Sequence, residues 1–62
     1  MTHEVIISKH WSGRTYNVKL ISWHRGQGMA NGRAFNVSKK EAEKVAAKTA
    51  ALYGAEIIRK GE

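Results

Sequence analysis

Residues 38–54 run Ser38-Lys39-Lys40-Glu41-Ala42-Glu43-Lys44-Val45-Ala46-Ala47-Lys48-Thr49-Ala50-Ala51-Leu52-Tyr53-Gly54, and each part of that run asks for a helix. Ser38 and Glu41 have the spacing of a capping box: the serine hydroxyl accepts the Glu41 amide while the glutamate reaches back. The body is rich in alanine, the strongest helix former. Ala42, Val45, Ala46, Thr49, Leu52 and Tyr53 recur at helical spacing and predict one buried stripe. Gly54 stands where a helix ends in the left-handed region.

Outward from this helix the chain reads as β-structure. After it, Ala55 to Lys60 predicts a strand with Ile57 or Ile58 turned inward. Before it, Arg33 to Val37 predicts a short strand with Phe35 and Val37 inward, entered through a turn at Asn31-Gly32. Further upstream, Glu4 to His10 and Thr15 to Trp23 carry the β-branched residues and alternation of strands. Ser12-Gly13 between them suits a two-residue hairpin loop. That loop places Trp11 opposite Arg14, Ile7 opposite Val18 and Val5 opposite Leu20. Val5, Ile7, Tyr16, Val18 and Leu20 then share the face on which the helix sits. Ile6, Asn17, Lys19, Ile21 and Trp23 share the other. The expected fold is α+β, in the order β-β-β-α-β: an antiparallel sheet of three to four strands covered on one face by a single helix.

The chain has 62 residues and no cysteine. Residues 1–62 therefore read as one compact domain with no disulfide staple and no thiolate metal site. Six glycines, at 13, 26, 28, 32, 54 and 61, mark the expected joints. No cationic segment followed by a long apolar run opens the chain, and no strictly apolar stretch is longer than Val5-Ile6-Ile7. The expectation is a cytoplasmic protein without a membrane span. Eleven Lys and Arg stand against five acids, all Glu, giving a formal net charge of +6. Such a surplus on a small body favours encounter with anionic partners.

Three features locate that encounter. Lys40, Lys44 and Lys48 at i,i+4 spacing form a basic ridge on the helix, with Lys39 at its start. Lys19 and Trp23 lie with Ile6 and Ile21 on the uncovered sheet face, where an apolar patch beside basic groups marks a partner surface. The segment Trp23 to Arg33 reads as a glycine-rich loop whose amides approach an anion while Arg25 and Arg33 grip phosphate. Gly26-x-Gly28 lacks the spacing of a nucleotide-binding phosphate loop. His3, His10 and His24 match no zinc motif. The glutamates do not cluster as a two-metal nuclease requires, and no serine has an evident His–acid pairing. No enzyme, metal or cofactor is expected.

The run Gly32-Arg33-Ala34-Phe35-Asn36-Val37-Ser38-Lys39-Lys40-Glu41-Ala42, a strand passing into a helix, resembles the AP2-like DNA-binding domains at the N-termini of phage and transposon integrases. That resemblance implies a sheet lying in the major groove, with Arg14, Lys19, Trp23, Arg25 and Arg33 on the matching strands. Tyr53-Gly54-Ala55-Glu56-Ile57-Ile58 is more similar to the closing strand of small uncharacterised bacterial and phage domains of β-β-(β)-α-β type. In size and basicity the chain also resembles small phage anti-defence proteins of the anti-CRISPR kind.

The expected function is a basic nucleic-acid-binding module for duplex DNA of low sequence specificity. Arg14, Lys19, Arg25 and Arg33, with Lys40, Lys44 and Lys48, supply phosphate contacts, and Trp23 a stacking or wedge contact. The alternative is a phage-derived protein-binding factor or inhibitor that docks on an acidic protein surface through Ile6, Ile21 and Trp23. A homodimer is compatible with either.

Overall fold

The structure, a computed structural model, describes residues 2–60; Met1, Gly61 and Glu62 lie outside it, and with them one expected joint glycine. The elements are β1 (Thr2–Lys9), β2 (Tyr16–His24), β3 (Gln27–Val37), α1 (Lys39–Tyr53) and β4 (Glu56–Lys60). This is the β-β-β-α-β order read from the sequence. The strands form one sheet in the order β3-β2-β1-β4, with α1 packed on one face.

The helix has the expected ends. The Ser38 hydroxyl accepts the Glu41 amide at 3.2 Å from an extended backbone. Gly54 adopts φ 60, ψ 36 and donates its amide to the Ala50 carbonyl. Ala42, Ala46 and Thr49 are buried against the sheet. The expected stripe stops there. Leu52 is 68% exposed, because at 100° per residue it stands on the flank of the line through Ala42, Ala46 and Thr49. Tyr53 is also exposed and stands beside His3 at the start of β1, ring centroids 5.2 Å apart.

The β1–β2 register is the expected one, with Ile7 opposite Val18 and Val5 opposite Leu20. Those four residues, with Ala42 and Ala46, form the core, and Tyr16, Val37 and Ile57 pack around it. The loop differs. The ladder stops at Lys9 and Tyr16, the His10 amide donates to the Thr15 carbonyl at 2.8 Å, and Trp11 and Arg14 lie in the loop rather than facing each other. A two-residue loop needs φ > 0 at its first central position, which Ser12 resists. Gly13 takes φ 79 instead and donates to the His10 carbonyl at 2.8 Å, closing a wider turn.

The sheet is mixed, not antiparallel throughout: β4 pairs parallel with β1. A parallel partner needs a long crossover. The 15 residues of α1 span about 22 Å and carry the chain back along the sheet before β4 begins.

The largest correction concerns the expected loop from Trp23 to Arg33. It is a hairpin, with β2 continuing to His24 and β3 starting at Gln27. Only Arg25 and Gly26 turn, at φ 52 and φ 78, the two positive angles of a type I′ turn. Asn31-Gly32 is not a turn, since Asn31 pairs with Leu20 and Gly32 with Lys19 inside the ladder. Phe35 is not inward either. Ala34 pairs with Val18 and Val37 with Tyr16, so two residues of β3 stand opposite Asn17 alone. That bulge returns Val37 to the core and leaves Phe35 66% exposed.

Candidate nucleic-acid interface

Among the described residues, nothing forms a second layer on the face of the sheet away from α1. Ile6, Ile21 and Trp23, the expected interface residues, share it, and so does Lys19. Ile6 is only 5% exposed, flanked in register by Lys19 on β2 and Ile58 on β4. Ile6 and Ile58 thus form a closely set apolar pair beside Lys19.

Two rings lie on this face. Trp23 pairs with Gly28 across the β2–β3 ladder. A β-carbon at Gly28 would stand 2.9 Å from Cζ3 of Trp23, so the benzo edge of the indole fills the room the glycine leaves. On the other side, Nε1 of Trp23 donates to Oε1 of Glu4 on β1 at 2.7 Å. The indole is thus held across three neighbouring strands while remaining 39% exposed. Phe35 repeats the device: a β-carbon at Gly32 would overlap its ring. Gly32 pairs with Lys19, so the phenyl ring stands against the register partner of that lysine.

The bulge that delivers Phe35 is tied down by side chains. Asn36 has φ 57, its amide donates to Oδ1 of Asn17 at 2.9 Å, and its own Oδ1 accepts from the Thr15 hydroxyl at 2.6 Å. A second irregularity sits at Arg33. Gly32 pairs with Lys19 and Ala34 with Val18, leaving Arg33 unpaired between them and exposed. Without that extra residue, the arginine would take the position opposite Val18 and point into the core.

The expected phosphate-contacting residues do not share one side. Lys19 stands in the middle of the open face, and Arg33 is on the adjoining edge strand. Arg25 is in the β2–β3 turn and Arg14 in the β1–β2 loop, at opposite ends of β2 and so about 30 Å apart. Lys40, Lys44 and Lys48 are exposed on the ridge of α1 turned away from Ala42, Ala46 and Thr49. The helix separates that ridge from the open face. Lys60, which the sequence reading did not single out, is exposed and in register with Ser8 on the open-face side.

The acids are also placed unevenly. Glu4 and Glu56 are register partners at one corner of the open face, where Glu4 holds Trp23. Glu43 lies on the helix side and receives two bonds from Arg59 on β4, at 3.1 and 2.6 Å. The hydrogen bond from Arg59 holds the Glu43 carboxyl below the ordinary carboxylate range, helped by the charges of Arg59 and Lys39 and opposed by desolvation.

His3 and His10 sit at opposite ends of β1, bonded to Ser22 Oγ at 2.9 Å and to Asn17 Oδ1 at 3.0 Å. Among the described residues no group of His, Asp and Glu is placed to hold a metal ion, and no helix is long and apolar enough to cross a membrane.

Sequence reasoning missed Phe35, Ile58, Lys60 and Trp11 as surface residues. Trp11, 90% exposed in the β1–β2 loop, was legible as an aromatic beside a turn glycine and an arginine. Phe35 was not, because the bulge at Asn36 depends on partners 19 and 21 residues away in the chain. Comparison of the chain with protein-family models, curated proteins and solved structures finds no match in any of the three.

Proposed function

We propose that the chain is a non-catalytic, basic nucleic-acid-binding module, acting in the cytoplasm, and that it binds with the open face of its sheet. One observation carries the reading. Two aromatic rings stand against glycines on the open sheet face that carries Lys19, in a chain of net charge +6. Aromatic faces give sequence-tolerant contacts to bases, and Lys and Arg give contacts to phosphate. Lys19, Arg25 and Arg33 border the two rings, while Arg14 serves the far end beside Trp11.

The test is a salt-titrated gel shift with duplex DNA, single-stranded DNA and RNA. Binding weakens with salt by about 0.7 to 0.9 log units per log unit for each phosphate neutralised. Absence of binding to all three, or affinity that stays flat with salt, defeats the reading.

A second reading rests on Ile6, Ile21 and Ile58, which share the open face, Ile58 in register with Ile6 and Ile21 diagonal to it, opposite Glu4. It makes that strip the anchor for a protein partner with an acidic rim, as in an anti-defence inhibitor, or for a second copy of the chain. A partner captured from a nuclease-treated lysate, with Ile21→Glu abolishing capture, supports it over the first.

A further inference from the structure

Resting on the nucleic-acid reading, we infer that the open face selects unpaired DNA over duplex DNA, with Trp23 and Phe35 each stacking on a splayed base. The duplex expectation drawn from the sequence gives way for three reasons.

The first is access. An aromatic ring exposed on a sheet offers a stacking contact, and its complement is the face of a base. In a duplex those faces are covered by their neighbours, and only base edges are open in the grooves. Unpaired bases can be splayed out and stacked on aromatic side chains. Trp23 is poorly built as a wedge, since its Nε1–H is bound to Glu4 and its benzo edge is seated over Gly28.

The second is spacing. The rings sit at Gly28 and Gly32, four residues apart on β3, so about 13 Å along the strand. Bases in one strand of a duplex rise about 3.4 Å each. The two rings therefore fit separate bases of an extended strand, not consecutive bases of a stacked column.

The third is charge. Lys19 is in register with Gly32 beneath Phe35, and Arg25 adjoins the hairpin end that carries Trp23. Each ring thus has a cation near it for the flanking phosphate. Glu4 and Glu56 occupy the β1–β4 corner and repel the backbone from it, which directs the strand along β2 and β3. Between the rings lie Ile21 and its partner Ala30, whose side chains offer no hydrogen bond to a 2′-hydroxyl. DNA loses nothing there that RNA would gain.

The experiment measures binding of the full chain to oligo-dT, to a DNA duplex of equal length and to oligo-rU at one salt concentration. Trp23 fluorescence is followed in a Trp11→Phe background. Oligo-dT should bind tighter than the duplex and quench Trp23, while the duplex should leave it unquenched. Trp23→Ala and Phe35→Ala should each weaken oligo-dT by roughly 5- to 100-fold with little change for the duplex. Gly32→Ala keeps the phenyl ring but displaces it, and should weaken oligo-dT as well. Should Trp23→Ala prove unfolded by circular dichroism, Phe35→Ala and Gly32→Ala decide, because Phe35 is largely exposed.

Duplex binding as tight as oligo-dT, with the ring variants neutral, overturns the inference and leaves the nucleic-acid reading standing. Oligo-rU bound tighter than oligo-dT overturns the choice of DNA. Failure to bind any of the three defeats the underlying reading itself.

Discussion

The indole of Trp23 occupies the space that Gly28 leaves empty: a β-carbon added at Gly28 would stand 2.9 to 3.1 Å from three of its ring atoms. The glycine is there for the ring, since its φ is not among the positive ones. Gly28→Ala should therefore be acceptable to the backbone, and the indole, which is partly exposed, should give way. The expected change in stability is within about 1 kcal/mol, because reduced freedom of the unfolded chain offsets crowding in the folded one. The indole should lift and lose its bond to Glu4. Red-shifted Trp23 emission in a Trp11→Phe background checks this, and an unchanged spectrum refutes it.

Both ends of α1 should be separately costly to alter. Ser38→Ala removes the acceptor for the Glu41 amide and should cost about 1 kcal/mol. Gly54→Ala forces a β-carbon into the left-handed conformation at φ 60 and should cost about 1–2 kcal/mol. The sites lie about 24 Å apart along the helix, so the double variant should show the sum. In a domain of this size each kcal/mol lowers Tm by roughly 4–8 °C, which thermal circular dichroism reads directly.

What the sequence made legible was local or periodic. The capping serine, the terminating glycine and the alternation in β1 and β2 each state their own geometry, and the pairing of Ile7 with Val18 followed from them. The β2–β3 hairpin was obscured because its turn is Arg25-Gly26 while Asn31-Gly32, a stronger turn signal, is held in the ladder by Leu20 and Lys19. The parallel β4 was hidden for a different reason. Strand direction depends on which edge the chain reaches after α1, and no residue of β4 encodes it. The candidate site was half legible: Lys19, Ile6, Ile21 and Trp23 do share a face, but the helix lysines lie on the other side of the body.

Asn36 should matter more than its exposed position suggests. It holds φ 57, a conformation that costs most residues about 1–2 kcal/mol, and ties Asn17 and Thr15 together across the bulge. Asn36→Ala keeps the strain and loses the Thr15 bond, so it should destabilise the fold by roughly 1–3 kcal/mol. Asn36→Gly also loses that bond but relieves the strain, and should cost about 1 kcal/mol less. Urea denaturation of the pair tests this. Equal losses would show that the side-chain bond, not the backbone conformation, sets the bulge.

The separation of the two basic surfaces predicts an asymmetry in binding. Replacing Lys40, Lys44 and Lys48 together by Gln should leave the slope of log affinity against log salt nearly unchanged, because the same phosphates remain neutralised. Replacing Lys19 and Arg33 by Gln should lower that slope by about 0.7 for each phosphate of a single strand that is no longer neutralised. The reverse pattern would move the binding surface to the helix.

The Glu43–Arg59 pair joins α1 to β4 and gives the fold a dependence on acid. Its carboxyl is held below the ordinary carboxylate range in the folded chain, so folding favours the ionised form. The stabilisation is fully present above the ordinary carboxylate pKa and is lost as pH falls through the lowered value of the folded state. Glu43→Gln should thus lower Tm at neutral pH, and the gap from the parent chain should close as the solution is acidified past that range. Both side chains are partly exposed, Arg59 at 44% and Glu43 at 34%, so solvent and salt screen the pair. Raising the ionic strength at neutral pH should narrow the same gap. A difference that persists unchanged in acid and in high salt would assign the loss to packing of the Glu43 side chain and not to its charge.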